Sequence, residues 1–153
     1  MTVAAHLAEL GITLPDAPAP AANYVPFVRS GSLVFVSGQI AKDEGGLITG
    51  ALGADTDVAE GARAARGCGL NLIAQLNAAL DGDLDRLVRV VKLTGFVNCT
   101  ADFTQQPAVI NGASDLMVEV FGAAKGSHAR AAVGSPSLPL GVAVEVEGIF
   151  EVS

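Results

Sequence analysis

Charge is scarce in this chain, and positive charge scarcest. Nine lysines and arginines stand against 16 aspartates and glutamates, and charged residues make up only 16% of the 153. The formal net charge of −7 leaves no basic footprint for a nucleic-acid backbone, although a local arginine can still hold a small anion. Cysteine is nearly absent. Cys68 and Cys99 stand alone without CxxC spacing, which excludes a disulfide framework and a cysteine zinc site. His6 and His128 are the only histidines and follow no metal-ligand spacing, so no metal is expected. No segment reaches the ~20 uncharged apolar residues that span a membrane. The N-terminus shows no basic stretch leading into an apolar core, so no secretory signal is expected. These absences point to a cytoplasmic protein without nucleic-acid or membrane partners.

What the chain does have is apolar surface. Half its residues are hydrophobic and the mean hydropathy is +0.47. Its length suits one domain, and so few charges on so small a domain point to burial of apolar surface in an oligomer.

Residues 1–22 are expected to be an N-terminal arm. Val3, Leu7 and Leu10 fall at helical spacing before Gly11, and the prolines from Pro15 to Pro20 enforce an extended linker. Residues 23–153 hold the main domain. Tyr24–Arg29 and Leu33–Ser37 flank Ser30-Gly31-Ser32 as a hairpin, with the second strand central in its sheet. A glycine-rich loop follows. A helix is expected from Asp57, whose spacing to Glu60 is that of a capping box, with Val58, Ala62, Ala65, Gly69, Leu72 and Leu76 facing inward. Small residues in its first half allow close approach to a sheet, and Asp81-Gly82 ends it. Leu87–Asn98 reads as a strand. A second helix starts near Pro107 and repeats Ile110, Ala113, Met117, Val120 and Phe121. His128–Val133 and Val142–Val152 read as the last strands. The order ββαβαββ predicts an α+β layer with both helices on one face of the sheet. The other face is left to be covered by oligomerisation.

Few residues offer chemistry. Arg130 sits among small and apolar neighbours in His128-Ala129-Arg130-Ala131-Ala132-Val133. Its fork either reaches solvent or a structural partner, or binds a carboxylate bidentately. Glu145 and Glu147 alternate with valines, so both face one side of a strand. That side is either simply solvated or poised over a site to position a water. Tyr24 suits a pocket wall or a core edge, and Asn111 an exposed helix face. Ser37 precedes Gly38 without a hydrolase motif. The glycine-rich loop lacks the phosphate-cradling GxxxxGK[ST] and the dinucleotide GxGxxG.

Together these residues resemble the Rid (RidA/YjgF) family of reactive-intermediate deaminases from about Asn23 onward. The resemblance rests on Tyr24, on Phe35-Val36-Ser37-Gly38-Gln39-Ile40, on the helix with Asn111, on Ala129-Arg130-Ala131-Ala132-Val133, and on Leu138-Pro139 followed by Val144-Glu145-Val146-Glu147. It implies a chorismate-mutase-like α+β fold with a mixed sheet. It implies a homotrimer with sites between subunits, and hydrolysis of enamines or imines such as 2-aminoacrylate to a 2-keto acid and ammonia, without cofactor. Arg130 would bind the substrate carboxylate and Glu145 would orient the attacking water, with Tyr24, Ser37 and Asn111 lining the pocket. Departures are His128-Ala129 and Ala131-Ala132, where many members have proline-alanine and serine-cysteine, and a longer segment at Gly122–Ser127. This is the pattern of a longer branch of the family. The alternative functions are a non-catalytic trimer that binds small carboxylic acids and, less favoured by the acidic charge, an endoribonuclease.

Overall fold

A computed structural model describes residues 1–17 and 23–153. Helix α1 (Val3–Glu9) is followed by strands β1 (Phe27–Ser30) and β2 (Leu33–Ile40), then by a small hairpin of β3 (Lys42–Asp43) and β4 (Gly46–Leu47). Helix α2 (Val58–Ala79), strand β5 (Leu87–Asn98), helix α3 (Gln106–Gly126) and strands β6 (Ala129–Ser135) and β7 (Val144–Val152) complete the chain. The main sheet has the order β1-β2-β7-β5-β6, with β5 and β6 parallel and every other pair antiparallel. This is the expected mixed α+β sheet; the β3–β4 hairpin inside the glycine-rich loop is an addition to it.

Local chemistry explains most boundaries. Thr2 caps α1 by accepting from the Ala5 amide at 3.1 Å. The helix is docked through the buried Leu7, a Val3 amide bond to Asp85 and a bond between His6 Nε2 and the Glu119 carbonyl. The linker expected through Pro20 passes outside the described residues from Pro18. Strand β1 begins at Phe27 rather than Tyr24. Pro26 has no N–H for the ladder, and its carbonyl instead accepts from the Ser37 amide at 2.8 Å. Gly31, at φ +61, turns the chain into β2.

Asp57 caps α2 by accepting from the Glu60 amide at 2.8 Å, but the Glu60 carboxylate turns to Arg63 and does not close the reciprocal half of the box. The inward side of α2 is wider than one stripe, because the helix packs against both the sheet and α3. Its glycines serve more neighbours than the sheet alone. A Cβ at Gly69 would lie 2.8 Å from Leu116 Cδ2 of α3, and one at Gly67 would lie 2.8 Å from the Lys42 carbonyl of β3. Asp81 and Gly82, both at positive φ, terminate the helix. In α3, Ile110, Ala113, Met117, Val120 and Phe121 are all buried. Gly122 at φ 76 and ψ 162 interrupts the helix before its last turn, within the longer segment noted in the sequence.

Both long helices lie on the sheet face carrying Val34, Val36, Leu93, Val97, Val144, Val146 and Phe150, which are buried. Strand β2 is interior, as expected, yet it alternates rather than burying both faces. Phe35 is 43% exposed on the far side, with Val28 at 53% and Val133 at 45%. Strand register places these three on one open face with Ile149 and Glu145. No helix among the described residues is long and apolar enough to cross a membrane.

Candidate functional site

The expected site residues fall into two groups. The first surrounds Glu145. Along β7, Val144 and Val146 point to the helices, so Glu145 and Glu147 project from the open face. Beside Glu145 the β2–β7 ladder is interrupted. Val36 pairs with Gly148 and Gln39 with Val146, leaving Ser37 and Gly38 opposite Glu147 alone. This is a β-bulge, a device that re-aims side chains at the end of a ladder. Gly38 is required there, because a Cβ would collide with Glu145 Oε1.

The bulge opens a cavity of about 960 Å³ whose wall includes Tyr24, Ser37 and Glu145. The Ser37 hydroxyl donates to the Val25 carbonyl at 2.8 Å, fixing the segment that leads from Tyr24. Tyr24 is 63% exposed, so it serves as a rim and not as a core aromatic. Burial, reinforced by the nearby charge of Glu147, raises the Glu145 carboxyl above the ordinary glutamate range. Across the sheet on α2, burial pushes the Cys68 thiol well up, with the charge of Glu145 contributing second.

The second group surrounds Arg130. It pairs in register with the buried Leu93, so its side chain leaves edge strand β6 on the helix face. There Nη1 donates to Asn111 Oδ1 at 2.8 Å and to Ser114 Oγ at 3.2 Å, both on α3. The Ser114 hydroxyl lies 2.9 Å from His128 Nε2, and His128 Nδ1 lies 2.6 Å from the Gly126 carbonyl. A carbonyl only accepts, so in the neutral ring Nδ1 carries the proton and Nε2 accepts from Ser114. The relay thus runs from the Gly126 carbonyl through His128 and Ser114 to the guanidinium. No carboxylate among the described residues pairs with Arg130. Only Nη1 is engaged, so the rest of the donor fork remains available for a planar anion.

These two groups do not meet within one chain. Strand β5 separates β6 from β7, and Arg130 and Glu145 leave opposite faces of the sheet.

The family model described as "YjgF/chorismate mutase-like, putative endoribonuclease" matches residues 4–151. The chain belongs to the YjgF (Rid) family. Protein TCP17 of Trypanosoma cruzi is 56% identical over 99% of this chain and 94% of its own. The crystal structure of Atu1372 from Agrobacterium tumefaciens, a protein of unknown function, superposes with a TM-score of 0.91 at 49% identity, covering 99% of this chain and 92% of that one. The Escherichia coli protein TdcF, whose structure was solved with bound serine, gives a TM-score of 0.58 at 26% identity, covering 90% and 94%. The match to the YjgF family model extends upstream of Asn23 into α1, further than the motifs alone carry the resemblance.

Within this YjgF chain the structure adds residues that spacing did not single out. Ser114 carries no motif on α3, and His128 stands out in the sequence as an isolated histidine and as a departure from the motif. A search for polar residues one turn after Asn111 would have raised Ser114, since i and i+3 share a helix face. Leu140 follows Pro139 of the cavity wall, is 72% exposed, and holds φ at +58. A non-glycine residue in that conformation stores strain.

Proposed function

We propose that the chain hydrolyses small 2-imino acids, including the imine tautomer of 2-aminoacrylate, to 2-keto acids and ammonia. The site forms between two copies of the chain, with Arg130 and Asn111 from one and Glu145, Ser37 and Tyr24 from the other. The carrying observation is that Arg130 is held on an edge strand by neutral acceptors, with most of its donor fork unspent and Glu145 out of reach. The exposed Val28, Phe35 and Val133, and the strained, exposed Leu140, support a surface that a second copy covers. A homotrimer, whose heterologous ring interface joins unlike faces, satisfies both requirements. The bound serine of the TdcF structure is consistent with a carboxylate ligand.

The chemistry is undemanding. Arg130 fixes the substrate carboxylate, and Glu145 accepts a hydrogen bond from a water held near the imine carbon. The water oxygen bonds to that carbon as the π electrons move to nitrogen, and the proton that the water gives up through Glu145 passes to that nitrogen. The carbinolamine then releases ammonia as its hydroxyl proton passes to the amine and the carbonyl forms. Placement contributes more than base strength, because the imine carbon is already electrophilic. The raised affinity of Glu145 for a proton brings it closer to the range useful for proton transfer near neutrality. A chain of net charge −7 offers RNA no comparable surface.

The test is release of ammonia and pyruvate from enzymatically generated 2-aminoacrylate. Wild type should accelerate it and Arg130→Ala should not, at an unchanged oligomeric state. Arg130→Lys should retain part of the activity, since an ammonium cannot reproduce the bidentate fork. Equal rates for wild type and Arg130→Ala would remove Arg130 from the site.

A further inference from the structure

The cavity beside Glu145 extends well past that carboxylate: in the single chain it is an open groove of about 960 Å³, one side of which the second copy would close. From Glu145 and Gly38 it continues past the end of the β1 ladder at Val36, where Leu70, Asn71 and Gln75 of α2 line it together with Leu14 of the N-terminal segment. Gln75 is only 1% exposed, and its Oε1 has no hydrogen-bond partner among the described residues. Buried amides are ordinarily satisfied, so an orphan oxygen on a residue that lines a cavity needs an explanation. Asn71, by contrast, directs its Nδ2 at the Ile40 carbonyl at 3.5 Å.

We infer that this extension is a side-chain subsite, and that the preferred substrates are 2-imino acids whose side chain ends in a carboxamide. The inference rests on the hydrolase reading above for the identity of the reacting end. A carboxamide carries a donor beside an acceptor, the complement of the Gln75 amide, and can pair with it reciprocally. A cationic side chain fits poorly, because a neutral amide in a buried wall cannot repay the desolvation of an ammonium. The terminal torsion of glutamine is broad and two-fold, so the Gln75 amide turns toward a ligand without leaving a rotamer well. Leu14 and Leu70 would flank the methylenes.

The experiment compares imino acids generated by an amino-acid oxidase from L-glutamine and from L-norleucine, which are similar in length but differ in the terminal amide. Wild type should prefer the glutamine-derived imine in kcat/KM by at least about tenfold. Gln75→Met, similar in volume but without the amide, should bring the ratio near unity. A wild-type ratio near unity, or a preference that survives Gln75→Met, would overturn the subsite and leave the hydrolase reading standing. If wild type accelerates no imine at all, 2-aminoacrylate included, the hydrolase reading fails and calorimetry with L-glutamine and L-norleucine themselves decides the subsite. Selective binding of glutamine that is lost in Gln75→Met supports it. Equal binding, or none, refutes it.

Discussion

If Arg130 and Glu145 act in one site only when two copies meet, two inactive variants should rescue each other. Arg130→Ala retains an intact Glu145 half, and Glu145→Gln retains an intact Arg130 half. Each homo-oligomer should be inactive, because every interface lacks one group. In mixed oligomers an interface is competent when its arginine comes from the Glu145→Gln chain and its glutamate from the Arg130→Ala chain. With equal amounts and random assembly, the two choices are each a half, so about one quarter of the interfaces are restored. Selecting rings that carry both chains removes the pure ones, and every mixed trimer then has one competent interface in three. The assay is ammonia release from 2-aminoacrylate after co-expression of the two chains with different tags, isolating oligomers that carry both. A mixture no more active than its parents, despite verified mixing, would refute the shared site and require both groups to act within one chain. That outcome would conflict with their positions on opposite faces of the sheet, two strands apart.

Three further outcomes follow from particular contacts. Gly38→Ala places a methyl where Glu145 Oε1 now lies; the displaced carboxylate should lower kcat about a hundredfold, the order of loss for a misplaced catalytic geometry, while circular dichroism stays unchanged. In the proposed reaction Glu145 orients the water as a carboxylate, and burial raises its pKa, so activity should fall as pH drops through a value above the ordinary ~4.3 of glutamate. Glu147→Gln removes the like charge and should move that acid limb downward in a pH–rate profile; a limb that does not move belongs to another group. Gly112→Ala gains helix propensity of ~1 kcal/mol, but its methyl would fall on the Ala62 carbonyl of α2, and overpacking against backbone costs about 1–3 kcal/mol. The net loss of up to about 2 kcal/mol should lower Tm by up to roughly 8 °C in calorimetry, and a rise would show that the two helices can part freely.

Elements with strong local signals were legible in the sequence. Strand β5 spans Leu87–Asn98 as read, and the inward residues of α3 are those at helical spacing, because burial on one face imposes the period. The limits of β1 and β2 were misjudged where a non-local bond decides. Pro26 excludes Tyr24 from the ladder, and the bulge at Ser37-Gly38 carries β2 on to Ile40, through pairing with β7 more than a hundred positions later. The expected site residues could be named from the family pattern, but not their division between two faces. Alternation along a single strand places Glu145 and Glu147 together, yet says nothing of the face chosen by Arg130 on a different strand. That choice follows from the parallel pairing of Leu93 with Arg130.

The departures around Arg130 become intelligible in the same terms. With Ala131 and Ala132 after it, β6 offers no polar side chain of its own beside the guanidinium. The polar environment is supplied from elsewhere: Asn111 and Ser114 from α3, and His128, which stands at the place of the proline in the motif this chain resembles. A proline at 128 could not accept from Ser114, so the hydroxyl would lose the partner that now directs its lone pair toward Arg130. Holding an arginine between an amide and a hydroxyl keeps its full charge for the ligand, whereas a carboxylate partner would neutralise it. The arrangement therefore supports the role proposed for Arg130, a guanidinium whose counter-charge would arrive with the substrate.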